Sequence, residues 1–417
     1  MSTTTIQKEP AAPAPSSIGG NVRGYWDRVR GGDMGALPAV LGLVVLCSVF
    51  AALRPAFLTS INFANLFTQG AAIAVIAMGL VFVLLIGEID LSAGYASGVC
   101  AAVLANALAN MGQPWYVAVL AAILTGAVIG TVLGTLVAKL GIPSFVVTLG
   151  AFLGFQGLVL ILVNEGTNIA IRDATILAIE NKNLPPALGW AFYAVGVAVY
   201  AAIQIVRAQR RRGRGLTYDP AAVIAFRVGA LALIAGLAVY ALNLERSRNA
   251  LLASLTGVPI VVPIVVVLLV FWTFVLRRTA FGRHIYAVGG NAEAARRAGI
   301  SVDRIRISAF VICSSMAAVG GIIAASRDNS VDPNTGGSNV LLFAVGAAVI
   351  GGTSLFGGKG RVIDAVLGGA VVAVINNGMG LMGYSASVKF IVTGCVLLLA
   401  AGVDALSRKR AAASGLR

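Results

Sequence analysis

Charge is what this sequence has least of. Only 11% of its 417 residues are Asp, Glu, Lys or Arg, against about 25% in a soluble globular domain. Histidine occurs once, at His284 in a basic loop, where a solvated side chain is the simpler reading than a ligand. Four cysteines, Cys47, Cys100, Cys313 and Cys395, sit singly inside apolar runs without metal or redox spacing. They read as small buried hydrophobes. A phosphate loop is missing too. In Gly351-Gly352-Thr353-Ser354-Leu355-Phe356-Gly357-Gly358-Lys359-Gly360, Thr353 stands where the first Gly belongs and Gly360 where the hydroxyl residue belongs. These absences exclude nucleotide hydrolysis by that route and leave no convergent catalytic groups for a membrane-embedded enzyme. The chain is expected to be non-catalytic, with no metal and no cofactor of its own; if ATP supplies the energy, it binds a partner.

What the chain has in excess is apolar length. Hydrophobic residues make up 58% and the mean hydropathy is +0.91. Residues 55–87, 91–138, 140–164, 183–206, 249–276, 307–326, 333–358 and 365–388 contain no charged side chain. A membrane span needs about 20 apolar residues, so the run 91–138 holds two. An all-α polytopic membrane protein of about 10–12 transmembrane helices follows. Some of these are expected to be broken or re-entrant, 340–357 above all. The net charge of +15 does not indicate nucleic acid, because the arginines gather at span ends, where orientation in the bilayer explains them.

Counting basic loops orients the chain. Residues 1–30 form a disordered cytoplasmic tail, and 31–410 the transmembrane domain. Spans are expected near 37–53, 69–87, 91–110, 115–138, 143–163, 187–206, 221–242, 259–276, 307–326, 340–357, 362–381 and 387–404. Arg207, Arg210, Arg211, Arg212 and Arg214 close the sixth and lie inside, so 187–258 carries an extra helix pair. Both termini face the cytoplasm of a multi-pass inner-membrane protein. Loops 164–184 and 327–339 face outward and carry Asn, Asp and Glu that a soluble partner could grip. Acids within spans are costly and tend to be functional; Glu88, Asp90 and Asp364 are all placed at span ends, leaving none at mid-span. An ion-coupled secondary transporter, which usually needs such groups, is therefore the weaker alternative.

Fifty glycines need a reason, since each weakens a helix interior by about 0.5–1 kcal/mol. In a bilayer small residues let helix backbones approach, and Gly126, Gly130, Gly134, Gly320 and Gly321 fit that packing role. The segment Gly87–Gly94 differs, because two carboxylates accompany its glycines. Asp90 either caps the next helix with help from Ser92, or marks with Ser92 and Gly94 a helix break on a transport pathway. An echo of it, Ile86-Gly87-x-x-x-Leu91-x-x-Gly94, recurs as Ile350-Gly351-x-x-x-Leu355-x-x-Gly358, the kind of paired break that duplicated transporters carry.

One polar island interrupts the greasy chain inside the cytoplasmic loop 277–306. From Gly289 to Ile300, Asn291 is placed to cap a short helix, and Glu293 to lie in its first turn. Arg296 and Arg297 fall in the last, complementing the helix dipole, and Gly299 supplies a left-handed stop. Its Glu293-Ala294-Ala295, three residues, then Gly resembles the EAA loop of ABC importer permeases. Ile89-Asp90-Leu91-Ser92-Ala93-Gly94, Val349 to Leu355 with Gly357-Gly358-Lys359-Gly360, and Asn376-Asn377-Gly378 extend the resemblance, in order, to the permeases of monosaccharide ABC importers of the ribose/xylose group. The stretch 187–258 is similar to the longer xylose-type members, whereas Glu88 stands where the family more often has Gly.

The resemblance implies an ABC importer permease fold and a homodimer of permeases in membrane lipid. It also implies a cytoplasmic ABC ATPase gripping Asn291, Glu293, Ala294, Ala295, Arg296 and Gly299, and a periplasmic sugar-binding protein. Asp90, Ser92, Gly94, Gly351, Gly352, Asn376 and Asn377 become the expected helix-break and pathway residues. Sugar choice would reside largely in the binding protein.

Overall fold

A computed structural model describes residues 35–247 and 254–413; the expected tail 1–30 lies outside the described residues. Helices follow the apolar runs. They are α1 (Leu37–Leu53), α2 (Ser60–Leu85), α3 (Ala93–Ala105), α4 (Trp115–Lys139), α5 (Ser144–Val163), α6 (Ala174–Asn181), α7 (Pro186–Gly213) and α8 (Ala221–Asn243). After them come α9 (Val261–Arg278), α10 (Ala280–Gly290), α11 (Ala292–Arg297), α12 (Val302–Asp328), α13 (Ser338–Ile350), α14 (Val362–Leu381) and α15 (Ala386–Ala413). Proline sets several starts, since it needs no helical N–H donor partner in the first turn: Pro114 and Pro143 precede α4 and α5, and Pro186 opens α7. Among the described residues, eight helices are long and apolar enough to cross a membrane, and Leu37–Leu53, Asn339–Ile350 and Ala386–Leu399 are shorter apolar helices. The chain is an all-α polytopic membrane protein.

The centre is built from α2, α12, α4, α3 and α14, which pack on one another. The apolar window of α2 is 78% buried inside the protein, against 6% for α7 and for α8. The extra pair is thus peripheral, touching the rest through a small cluster of Ala64, Leu242 and Val258. The glycine stripe of α4 is a packing seam, as its spacing predicts. A Cβ on Gly130 would come within 2.4 Å of the Phe310 carbonyl oxygen of α12, so only glycine allows this approach.

Two expectations change. Residues 60–68, ahead of the span expected at 69–87, are the first turns of α2, capped by Thr59. And two of the spans are short. α3 has 13 residues before a π-helical turn, Asn106–Asn110, and α13 also has 13, about 20 Å at 1.5 Å per residue where the hydrocarbon core is about 30 Å. The π-helical turn prolongs the first, and turns flank the second on both sides. The outer loops are tied together by two-residue antiparallel pairs: β1 (Ile169–Ala170) with β4 (Ser330–Val331), and β2 (Asn183–Leu184) with β3 (Val258–Pro259).

Candidate coupling site and membrane pathway

The polar island folds as its residues dictate. The Asn291 side chain accepts the Ala294 N–H at 2.9 Å, and the six-residue α11 carries Glu293 in its first turn with Arg296 and Arg297 in its last. Glu293 pairs with both arginines at 3.2 Å, an exposed arrangement worth only a few tenths of a kcal/mol per pair. The end is a Schellman stop: Ile300 N–H donates to Ala295 O, Gly299 N–H to Arg296 O, and Gly299 sits at φ +82°. Ala295 is buried, so α11 has one face on the protein and its charged face free.

Where α11 is anchored matters more than its caps. Gly289, in the last turn of α10, lies so close to the end of α2 that a Cβ there would come within 1.8 Å of the Leu85 carbonyl oxygen. That same oxygen accepts the Gly358 N–H at 2.9 Å. Gly87 (φ +78°) in turn lies against Phe356 and Gly357, whose φ is +83°. The two echoing glycine segments and the polar island, distant from one another in sequence, therefore meet at one junction. Tyr286 of α10 closes it by donating its hydroxyl to Gly360 O at 2.7 Å. Gly351 and Gly352 lie at the edge of the same loop. A Cβ on Gly351 would come within 1.8 Å of Asp364 O, and Gly352 has φ +115°. Asp364 is held by Arg361 at 2.8 Å.

From this junction the chain climbs back into the membrane. Glu88 pairs with Arg306 at 3.1 Å, and the Ile89 N–H donates to Ser144 Oγ at 3.2 Å. Asp90, fully buried, accepts the Ser92 N–H at 2.8 Å and the Ser92 hydroxyl at 2.6 Å. Beside it lies the thiol of Cys313, seven residues beyond Arg306 on α12, or about 10 Å along a helix. Asp90 thus lies in the link between α2 and α3, as expected of an acid at a span end, yet it is fully buried. Gly94 opens α3 there, with room only for backbone: a Cβ would come within 2.8 Å of Gly336 O.

This architecture agrees with comparison to known proteins. A family described as "Branched-chain amino acid transport system / permease component" matches residues 62–401. The chain belongs to this permease family. The permease is 36% identical over 356 residues to the xylose transport system permease protein XylH of Escherichia coli, covering 85% of this chain and 87% of that one. It is 33% identical to XylH of Haemophilus influenzae, covering 89% and 96%. With the ribose import permease protein RbsC of E. coli it shares 32%, covering 88% and 92%. No solved structure matches.

The remaining predicted residues lie elsewhere in the permease. Asn377, near the far end of α14, donates its amide to Gln69 Oε1 of α2 at 3.2 Å. It and the half-buried Asn376 sit far along the helix from Asp364 at its start, so the expected pathway residues form two separate groups. Gln69 carries no pattern that would have singled it out. The outer loops also offer less than their composition promised. Glu180 is only 8% exposed, with neither carboxylate oxygen hydrogen-bonded. Burial pushes its pKa up to about 8, Arg327 opposing the shift and Asp328 adding to it. At neutral pH it is mostly protonated, and it presents no charge for a soluble partner.

Proposed function

We propose that this permease is the membrane-spanning subunit of an ATP-driven ABC importer that carries a monosaccharide, a pentose such as xylose, inward across the inner membrane. In this reading two copies form the channel, an ABC ATPase docks from the cytoplasm and a periplasmic binding protein delivers the sugar. Both termini face the cytoplasm. The names of the xylose and ribose relatives support the substrate class.

The observation that carries the mechanism is the junction. A rigid, capped α11 is fixed through Gly289 to the carbonyl that also holds the loop 351–360, and through Gly87 to the segment leading to Asp90. Motion imposed on α11 would thus reach both broken spans through backbone contacts, which transmit displacement with little give. Asn291, Glu293, Ala294, Ala295, Arg296 and Gly299 are the ATPase-coupling residues.

Glu293→Lys puts a cation at the positive end of α11 and unpairs two arginines. Gly299→Val forces a branched side chain into the left-handed region at ~1 kcal/mol or more. Both variants should reach the membrane at normal abundance, yet lower ATPase stimulation and uptake by roughly tenfold, the change ~1.4 kcal/mol of lost coupling gives. Normal uptake in both would remove α11 from the mechanism. One observation favours the alternative, an ion-coupled secondary sugar transporter: Asp90 is a fully buried carboxyl between two apolar helices, the kind of group such carriers titrate.

A further inference from the structure

The extra helix pair carries a site that the coupling junction does not use. We infer that the cavity at the arginine-rich end of α7 binds the headgroup phosphate of an anionic phospholipid, with Arg207 and Arg211 as its anion ligands. The cavity, about 120 Å³, lies between the last turns of α7 and the turn leading to α8, and Gln204, Arg207, Arg211, Thr217, Tyr218 and Asp219 line it.

Depth is the first reason. From Pro186 to Val206, α7 rises about 31 Å at 1.5 Å per residue, the thickness of the hydrocarbon core. Arg207 therefore begins where lipid headgroups begin. The shafts above are made for acyl chains: Val195, Val199 and Ile203 of α7 and Leu233, Ile234 and Leu237 of α8 are exposed apolar side chains. An anion seated at Arg207 thus has its natural tail alongside.

Charge is the second. Between 207 and 227 stand six arginines and one aspartate, and that aspartate, Asp219, is engaged by Arg227 at 2.8 Å. Among the described residues, Arg207, Arg210, Arg212 and Arg214 form no ion pair, and the pair is too peripheral for the core to supply one. The third reason is shape. Arg211 is fixed by donating Nε–H to Thr217 O at 2.6 Å. Arg212 lies 5.9 Å from the Tyr218 ring centroid. The Arg211 guanidinium is thereby set in place, with the Thr217 and Tyr218 hydroxyls as further donors. A planar fork of N–H groups suits phosphate oxygens. A positive-inside signal needs only the charges, not a walled cavity between them.

The test uses the full-length permease, relipidated with phosphatidylcholine alone or with added phosphatidylglycerol, and counts bound lipid by native mass spectrometry. The wild type should retain phosphatidylglycerol in preference to phosphatidylcholine. At ~1 kcal/mol per arginine near an anionic surface, Arg207→Gln/Arg211→Gln should weaken retention roughly 25-fold. Because Arg211 also holds the turn, Arg207→Gln alone, whose side chain makes no hydrogen bond among the described residues, should weaken it roughly fivefold. Arg277→Gln/Arg278→Gln, at the end of α9 and outside the cavity, should change it less than about threefold. Equal loss in the two double variants, unchanged retention in Arg207→Gln, or equal retention of both lipids would overturn the site. Displacement of the lipid by millimolar inorganic phosphate would assign the cavity to free anions instead and overturn the lipid reading.

Discussion

Gly289→Ala is expected to abolish sugar transport, whereas Gly290→Ala, one residue further on, is expected to leave it intact. The two glycines share a helix end and differ only in what faces them. A methyl group at 289 would sit 1.8 Å from Leu85 O and 2.9 Å from Gly358 N, both backbone atoms, while nothing lies within 4 Å of a methyl group at 290. Backbone cannot swing aside as a side-chain tip does. Overpacking of this kind typically costs 1–3 kcal/mol, occasionally more, and here relief means separating α10 from α2 and from the 351–360 loop. That separation is the loss of coupling itself. Gly290 has no positive φ, so alanine fits it and removes some unfolded-chain entropy. Transport by each variant, normalised to permease in the membrane, decides the matter. Equal activity of the pair would mean that the contact at Gly289 is incidental.

The second large effect separates two roles for Asp90. If its carboxyl anchors the start of α3, Asp90→Asn should keep ATP-driven uptake within a few-fold, because the amide oxygen can accept the same N–H and hydroxyl of Ser92. Asp90→Ala leaves both donors buried and unpaired, at about 1–3 kcal/mol each, and should cut uptake and folded yield sharply. An ion-coupled carrier would order them otherwise. There the titrating proton is essential, and the asparagine variant would be as dead as the alanine one.

Much of this was legible in the residues because bilayers impose blunt rules. Charge-free runs located the spans at 37–53 and 143–163 almost to the residue, since a charge in hydrocarbon ends the run. The caps of α11 were equally readable, each being a local interaction within a turn: Asn291 with Ala294, Gly299 with Arg296. What hydropathy could not show was depth along non-helical backbone. Residues 91–110 and 340–357 have the apolar length of whole spans, yet the first passes from α-helix into a π-helical turn and the second from helix into a glycine-rich loop. The full burial of Asp90 in the link before α3 is also revealed only by the fold. The ion pair of Glu88 with Arg306 and the burial of Glu180 under α12 likewise depend on partners distant in sequence. So does the meeting of Gly87, Gly289 and Gly357, although the echo between two of their segments hinted that both mattered.

Uptake into proteoliposomes tests the central claim, that a separate ATPase drives sugar through this permease, most directly. Purified permease alone should accumulate no pentose under an imposed proton or sodium gradient. With the cognate ATPase, the binding protein and ATP on the cytoplasmic face, uphill uptake should begin, and dissipating the ion gradients should not stop it. Accumulation by the permease alone, driven by a gradient, would contradict this reading and make Asp90 the centre of a secondary transporter.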